Sequence, residues 1–427
     1  MNASPQPPQD DLPQGLDPSA FRLLFACLAI VGVGNSMLFA VLPPIARESG
    51  LPDWCVSAIF SGSAVLWVLT SPVWGRVSDE KGRKPLIVLG LSAYATSTIA
   101  FTVVAALALA GHWSWPWVFV CLALARAIFG AMGSATNPAV QAYIADLTPP
   151  ETRTREMAAV TSAFAFGSAG GPALAAGLIA WLGLLAPLWT VSVLAAGGAL
   201  LAHLSLKPVA VPPRAKASAA PGDIWRMAMR PDVRPWLIFG VSLSAVTAVM
   251  FQQLSFFFID VLSVSPREGA SLVAVALAGG AFAQIAAQLG LIPRLQLSPR
   301  GLILAGTVIT ALGALMTALG RDFGVLAAAQ MLVGLGFGLA RPGFTGGASL
   351  AVGREDQGSI AGLVVAANGA GFVVAPIFGA GLYALVSPQA PFFLCAIAML
   401  ALALYGQLHP GLRGQPLRES PPDHPGH

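Results

Sequence analysis

Charge is scarce in this chain: only 10% of its 427 residues are Asp, Glu, Lys or Arg. Soluble domains carry about 25%, so a water-facing surface of the usual kind cannot be built from this sequence. Cysteine is equally sparse. Cys27, Cys55, Cys121 and Cys395 stand far apart with no CxxC pair, which gives neither a disulfide framework nor a thiolate metal site. The five histidines have no ligand spacing, and no nucleophile–base spacing stands out, so an enzyme is not expected. A Walker A pattern is absent, which excludes P-loop ATP hydrolysis. No cofactor or metal is expected. The first 18 residues lack a basic n-region and a small-residue cleavage site, so the first apolar run is expected to stay as an anchor.

Apolar residues fill the space that charge leaves. The chain is 56% hydrophobic with a mean hydropathy of +0.74. A bilayer core of about 30 Å needs roughly 20 apolar residues per helix. Twelve runs of that kind occur, at about 21–45, 56–75, 85–110, 116–143, 157–182, 188–206, 235–261, 269–292, 301–320, 323–348, 358–385 and 391–408. The expected fold class is therefore an all-α membrane protein with 12 transmembrane helices. Basic residues collect in cytoplasmic connections. With the N-terminus inside, 18 of the 23 Lys and Arg fall on the cytoplasmic side and three (Arg47, Arg267, Arg321) outside, while Arg126 and Arg341 lie within spans. Both termini are then expected in the cytoplasm, and the pI of about 9.1 reflects topology and gives no hint of nucleic acid. Trp113, Trp115, Trp117 and Trp189 fall near outer span ends, where an aromatic belt is expected.

The longest internal connection divides the runs six and six. The expected organisation is a cytoplasmic tail 1–18, a six-helix half 19–206, a linker 207–234, a second half 235–408 and a tail 409–427. The linker's "DIWRMAMRPDVRPW" interleaves apolar and basic residues as a short interfacial amphipathic helix would. An internal repeat supports the division. An offset of 204 carries Gly130, Pro138 and Glu151 onto Gly334, Pro342 and Glu355, and Gly167, Pro172 and Gly177 onto Gly371, Pro376 and Gly381. Two parallel six-span repeats with substrate held near the midplane are a known transporter plan.

Much of the charge that does occur sits in one place. "GRVSDEKGRK", Gly75–Lys84, holds two acids and four bases between the second and third runs. With "LALARAIFGAMGS" in the fourth run (Arg126, Gly130) and "GSAGGPALAAG" in the fifth (Gly167, Gly171, Pro172), it resembles the motif set of the major facilitator superfamily. Within it the chain is most similar to the 12-helix drug/proton antiporters of the tetracycline group. The resemblance implies a bacterial inner-membrane secondary transporter, monomeric, exporting amphipathic small molecules against protons. It also implies that Gly75, Asp79, Gly82, Arg83 and Lys84 clamp the halves together on the cytoplasmic side in the outward-facing state. The alternative for these residues is a positive-inside anchor loop.

Other residues keep two readings. In the antiporters a first-span acid neighbours the arginine of the fourth span; here Val31 stands about there, and Asn35 is the main polar group. Arg126 is thus a buried cation, which by default marks a pathway, and Asp260 and Asp146 are the remaining coupling candidates, each otherwise a helix-end charge. Arg341 either snorkels to the interface or lines the pathway. Asn35, Asn137, Gln141, Gln252, Gln253, Gln330 and Asn368, with Phe251, Phe256 and Phe257 nearby, fit an amphipathic pocket or, singly, helix–helix hydrogen bonds. The glycines and proline of the fifth span serve tight packing or a hinge. The second functional reading is a transporter of an anionic metabolite bound by Arg126 and Arg341, and the third a non-transporting membrane receptor.

Overall fold

A computed structural model describes residues 17–148, 150–208, 226–353 and 356–412, and among the described residues twelve helices are long and apolar enough to cross a membrane. The side chains of residues 79, 150–155, 158, 161 and 358 are outside the description. So are most of the linker and both tails.

The first six spans are α1 (Pro18–Glu48), α2 (Asp53–Lys81), α3 (Arg83–Leu109), α4 (Trp115–Leu147), α5 (Pro150–Leu182) and α6 (Ala186–Ser205). The second six are α7 (Arg234–Leu262), α8 (Pro266–Leu295), α9 (Pro299–Leu319), α10 (Phe323–Leu350), α11 (Gln357–Leu385) and α12 (Ala390–Leu408). Proline opens several of them, where its missing N–H costs nothing. Ser265, Ser298 and Asp322 cap α8, α9 and α10 by accepting from Glu268, Gly301 and Val325 backbone N–H groups.

Two spans are irregular. α4 tightens to a 3-10 turn at Gly133–Ala135, and α8 widens to a π turn at Ala287–Leu291. At the α4 break, α2 supplies the missing partners. The Trp74 indole donates to the Ala131 carbonyl at 2.6 Å, and Thr70 pairs with Ser134 at 2.8 Å. Irregular backbone survives at membrane depth where neighbours satisfy it in this way.

Glycine sets the helix spacing. A Cβ on Gly130 would lie 2.6 Å from the Ser63 carbonyl, and one on Gly171 would lie 2.6 Å from that of Val33. A side-chain methyl on Gly167 would overlap the backbone of Ala29, and one on Gly371 that of Ser244 and Ala245. The Gly167 and Gly371 contacts are repeat-related: α5 lies backbone-to-backbone on α1, and α11 on α7. Small residues at such crossings are how membrane helices gain packing without a hydrophobic drive. The outer surface is apolar in turn, with Trp181, Leu182, Leu350 and Leu385 all largely exposed. Trp113, Trp115, Trp117 and Trp189 are exposed too.

The charged motif between the second and third runs is less of a loop than expected. α2 runs on as helix through Arg76 and Asp79 to Lys81, and the chain reverses only at Gly82, whose φ of 91° suits glycine alone. The helix outlasts the apolar run because Arg76, Glu80 and Lys81 are good helix formers once clear of lipid. Gly75 makes no close approach here: a Cβ would meet nothing within 4 Å. Of the linker, only its end is described. A helical turn at 226–228 precedes α7, Met227 is buried, and Arg230 pairs with Asp232 at 2.7 Å and Asp356 at 2.9 Å. The guanidinium holds the Asp232 carboxyl below its ordinary range.

Candidate substrate cavity

A cavity of about 410 Å³ lies between the halves, within the range of small-molecule sites. Eight spans line it, α1, α2, α4 and α5 from the first half and α7, α8, α10 and α11 from the second. The offset of 204 is visible in its walls. Phe129 faces it as Val333 does, Phe164 as Asn368, and Ser168 as Phe372. Phe39 closes one side, stacked on Phe60 at 5.0 Å and on Phe251 at 5.7 Å, so the aromatic cover joins α1 and α2 to α7.

Arg126 reaches this cavity from α4 and is 5% exposed. Its guanidinium donates to the Asn35 side-chain oxygen and lies over Phe129 at 4.5 Å and near Phe60 at 5.7 Å. Ring faces attract cations, most strongly where water is excluded. Its Nε is buried without a hydrogen-bond partner among the described residues. The Ser97 hydroxyl donates to the Ala125 carbonyl at 2.6 Å and fixes the helix beside it. Neither Asp146 nor Asp260 compensates Arg126 here. Asn35 and the two rings are its neighbours instead.

Of the seven expected pocket amides, Asn35, Asn137, Gln330 and Asn368 line the cavity. Gln141, Gln252 and Gln253 do not. Gln253 sits behind the wall, donating to Ser57 Oγ at 3.4 Å across the halves, and Gln252 is 1% exposed. Phe251 lines the cavity, whereas Phe256 and Phe257 are buried beyond it. An all-apolar helix gives no moment by which to choose its face, so residue type alone could not separate these. Arg341 lines the cavity from α10, with a buried Nε that has no partner among the described residues. Ser63, Ser168, Thr247 and Gln284 also line it without having been singled out by sequence. Pro172 reaches the wall, while Gly167 and Gly171 serve packing on α1.

The halves meet most polarly at the end where α1 and α7 finish. Arg47 forms an ion pair with Asp53 at 2.7 Å and a second, across the halves, with Asp260. The Tyr383 hydroxyl donates to Asp260, the Phe256 ring lies 5.1 Å beneath Arg47, and Arg267 reaches Glu48 at 3.1 Å. Asp260 is thus a cross-half partner and no isolated helix-end charge. Ser255 closes the same end by donating to the Phe39 carbonyl at 3.1 Å. At the opposite end the described ion pairs stay within one half. Arg83, 1% exposed, donates to Asp146 at 2.9 Å and to Ser78 at 3.2 Å. Asp146 therefore anchors the α2–α3 turn to α4. The Asp79 side chain is outside the described residues, and Lys84 sits half-buried in the first turn of α3.

A Major Facilitator Superfamily model matches residues 24–296 and 291–425, nearly the whole chain. The chain belongs to the major facilitator superfamily. Multidrug resistance protein 2 of Bacillus subtilis is 24% identical over 392 residues, covering 89% of this chain and 92% of that protein. Tetracycline resistance protein class D of Salmonella ordonez is 26% identical over 404 residues, covering 92% and 95%. Among solved structures, the human organic anion transporter MFSD10 superposes with a TM-score of 0.64 at 19% identity, covering 94% of this chain and all of that one. The superfamily fold, two six-helix halves of a multi-pass membrane transporter, is the one described above.

Proposed function

We propose that this transporter exports amphipathic small molecules from a bacterial cytoplasm by alternating access. The observation that carries the reading is the cavity itself, shared by both halves, rich in aromatic and amide groups, and covered on the Arg47 side by cross-half ion pairs. With both termini inside, as the basic residues suggest, this conformation is closed to the outside. Substrate would enter from the α2–α3 side. Opening outward requires breaking Arg47–Asp260, and partly exposed pairs are weak enough to cycle. The open space beside Gly75 leaves room for a clamp to close; Gly75, Asp79, Gly82, Arg83 and Lys84 would form it in the outward-facing state, with Arg83 held by Asp146.

The multidrug- and tetracycline-resistance relatives support export driven by protons. No Asp or Glu is among the described residues lining the cavity, so the carboxylate best placed to couple is Asp260. A proton taken up from outside would neutralise it and free the Arg47 contact, opening the gate. Asp260→Asn should then flatten the dependence of dye export on external pH while dye affinity stays unchanged. Dye efflux from energised cells, with and without an uncoupler, checks both parts. Uncoupler-insensitive accumulation in wild type would contradict the exporter reading. A wild-type pH profile in Asp260→Asn would remove the coupling role alone.

A further inference from the structure

The offset that relates the halves also relates the two intramembrane arginines to their counterparts. Adding 204 carries Arg126 onto Gln330 and Asn137 onto Arg341, and all four side chains line the cavity. Each half therefore offers one arginine and one amide at two equivalent positions, in opposite order. The equivalent positions differ by 11 residues, roughly 16 Å of helix at 1.5 Å per residue. One cation thus sits deep, opposite an amide. The other sits nearer the α2–α3 end, again opposite an amide. Both have a buried Nε with no partner among the described residues, and the described lining contains no carboxylate to balance them.

We infer that the cavity takes organic anions, received at Arg341 and held at Arg126 with the apolar body against Phe60 and Phe129. The inference rests on the cavity being the transport site. Two guanidinium groups in one walled space, Arg126 buried and Arg341 half-buried, attract an anion and repel a cation. Arg126 has already traded a carboxylate partner for ring faces and one amide oxygen, which leaves donors for a carboxylate or sulfonate. With about 16 Å of helix between their levels, the two arginines act in sequence or on two ends of one molecule.

Two xanthene dyes of opposite charge, carboxyfluorescein and rhodamine 123, provide the probe, since they share a ring system and differ in sign. Fluorescence anisotropy with the purified full-length protein should show carboxyfluorescein bound at least about tenfold more tightly, the scale of one hydrogen bond to a charged group. Arg341→Asn should weaken carboxyfluorescein about tenfold and leave rhodamine 123 unchanged or improved. Adding Asn137→Arg to Arg341→Asn restores the charge at the same depth on the opposite wall and should recover carboxyfluorescein binding. A packing role for Arg341 predicts no such rescue. Rhodamine 123 bound as tightly as carboxyfluorescein, or an Arg341→Asn variant that cannot be rescued, overturns the inference. Binding is read apart from transport: anion binding without efflux from cells would support the inference and contradict the export reading.

Discussion

Asp146→Asn should destabilise the folded transporter by about 3 kcal/mol, the low end for losing one partner of a buried ion pair. Arg83 and Asp146 are 1% and 6% exposed in their side chains and meet at 2.9 Å. The amide keeps the shape of the carboxylate and removes its charge, so Arg83 stays buried without this anion. Because the pair fastens the start of α3 to the end of α4, its loss should loosen the α2–α3 turn and reduce export with stability. The pair's interaction can be lost only once, so Arg83→Gln with Asp146→Asn should be less harmful than the sum of the single changes. Thermal melting of detergent-solubilised protein for all four members of the cycle measures this. Additive or negligible effects would show that water screens the pair and that it does not hold the turn.

Gly167→Ala and Gly371→Ala should each leave little folded protein in the membrane. The added methyl meets backbone atoms of α1 in the first case and of α7 in the second; backbone cannot rotate away as a side chain can, and overpacking of that kind costs about 1–3 kcal/mol or more. Gly177 and Gly381 form the matched control. They are also related by the offset of 204, yet a Cβ at either meets nothing within 4 Å. Gly177→Ala and Gly381→Ala should be tolerated, with a gain of up to about 1 kcal/mol from helix propensity. Membrane expression of the four variants, followed by gel filtration of the extracted protein, separates the two pairs. Equal yields would mean that α5 and α11 can shift off α1 and α7 at little cost, as hinges would.

Much of this was legible in the sequence because lipid imposes long apolar runs and leaves few alternatives. The twelve spans, the six-and-six division and the repeat follow from run length, connection length and one offset. Span ends were less so. α2 continues six residues past Gly75 to Lys81, since hydropathy reports where lipid ends and says nothing of where the helix does. The 3-10 turn in α4 and the π turn in α8 each precede a proline, Pro138 and Pro293, which cannot donate to the carbonyl four residues back, at Ser134 and Leu289; apolar run length passes over that signal. Residue type flagged Arg126 and Asn35, because a buried cation in an acid-free region needs a partner, and the structure joins the two. It did not separate Gln330, which lines the cavity, from Gln253, which lies behind it. The partnership of Arg47 with Asp260 spans 213 residues, and no local pattern encodes it.

Locking the Arg47 end shut tests alternating access most directly. Ser57 and Gln253 face each other across the halves, α2 to α7, with side chains 3.4 Å apart. In a chain whose four cysteines are changed to alanine, Ser57→Cys and Gln253→Cys can be joined by a short bis-methanethiosulfonate reagent. Dye export should stop when the link forms and return to the uncrosslinked rate when it is reduced, with each single cysteine unaffected. Undiminished export from fully crosslinked protein would contradict the account, because the substrate would then be leaving without this end ever opening.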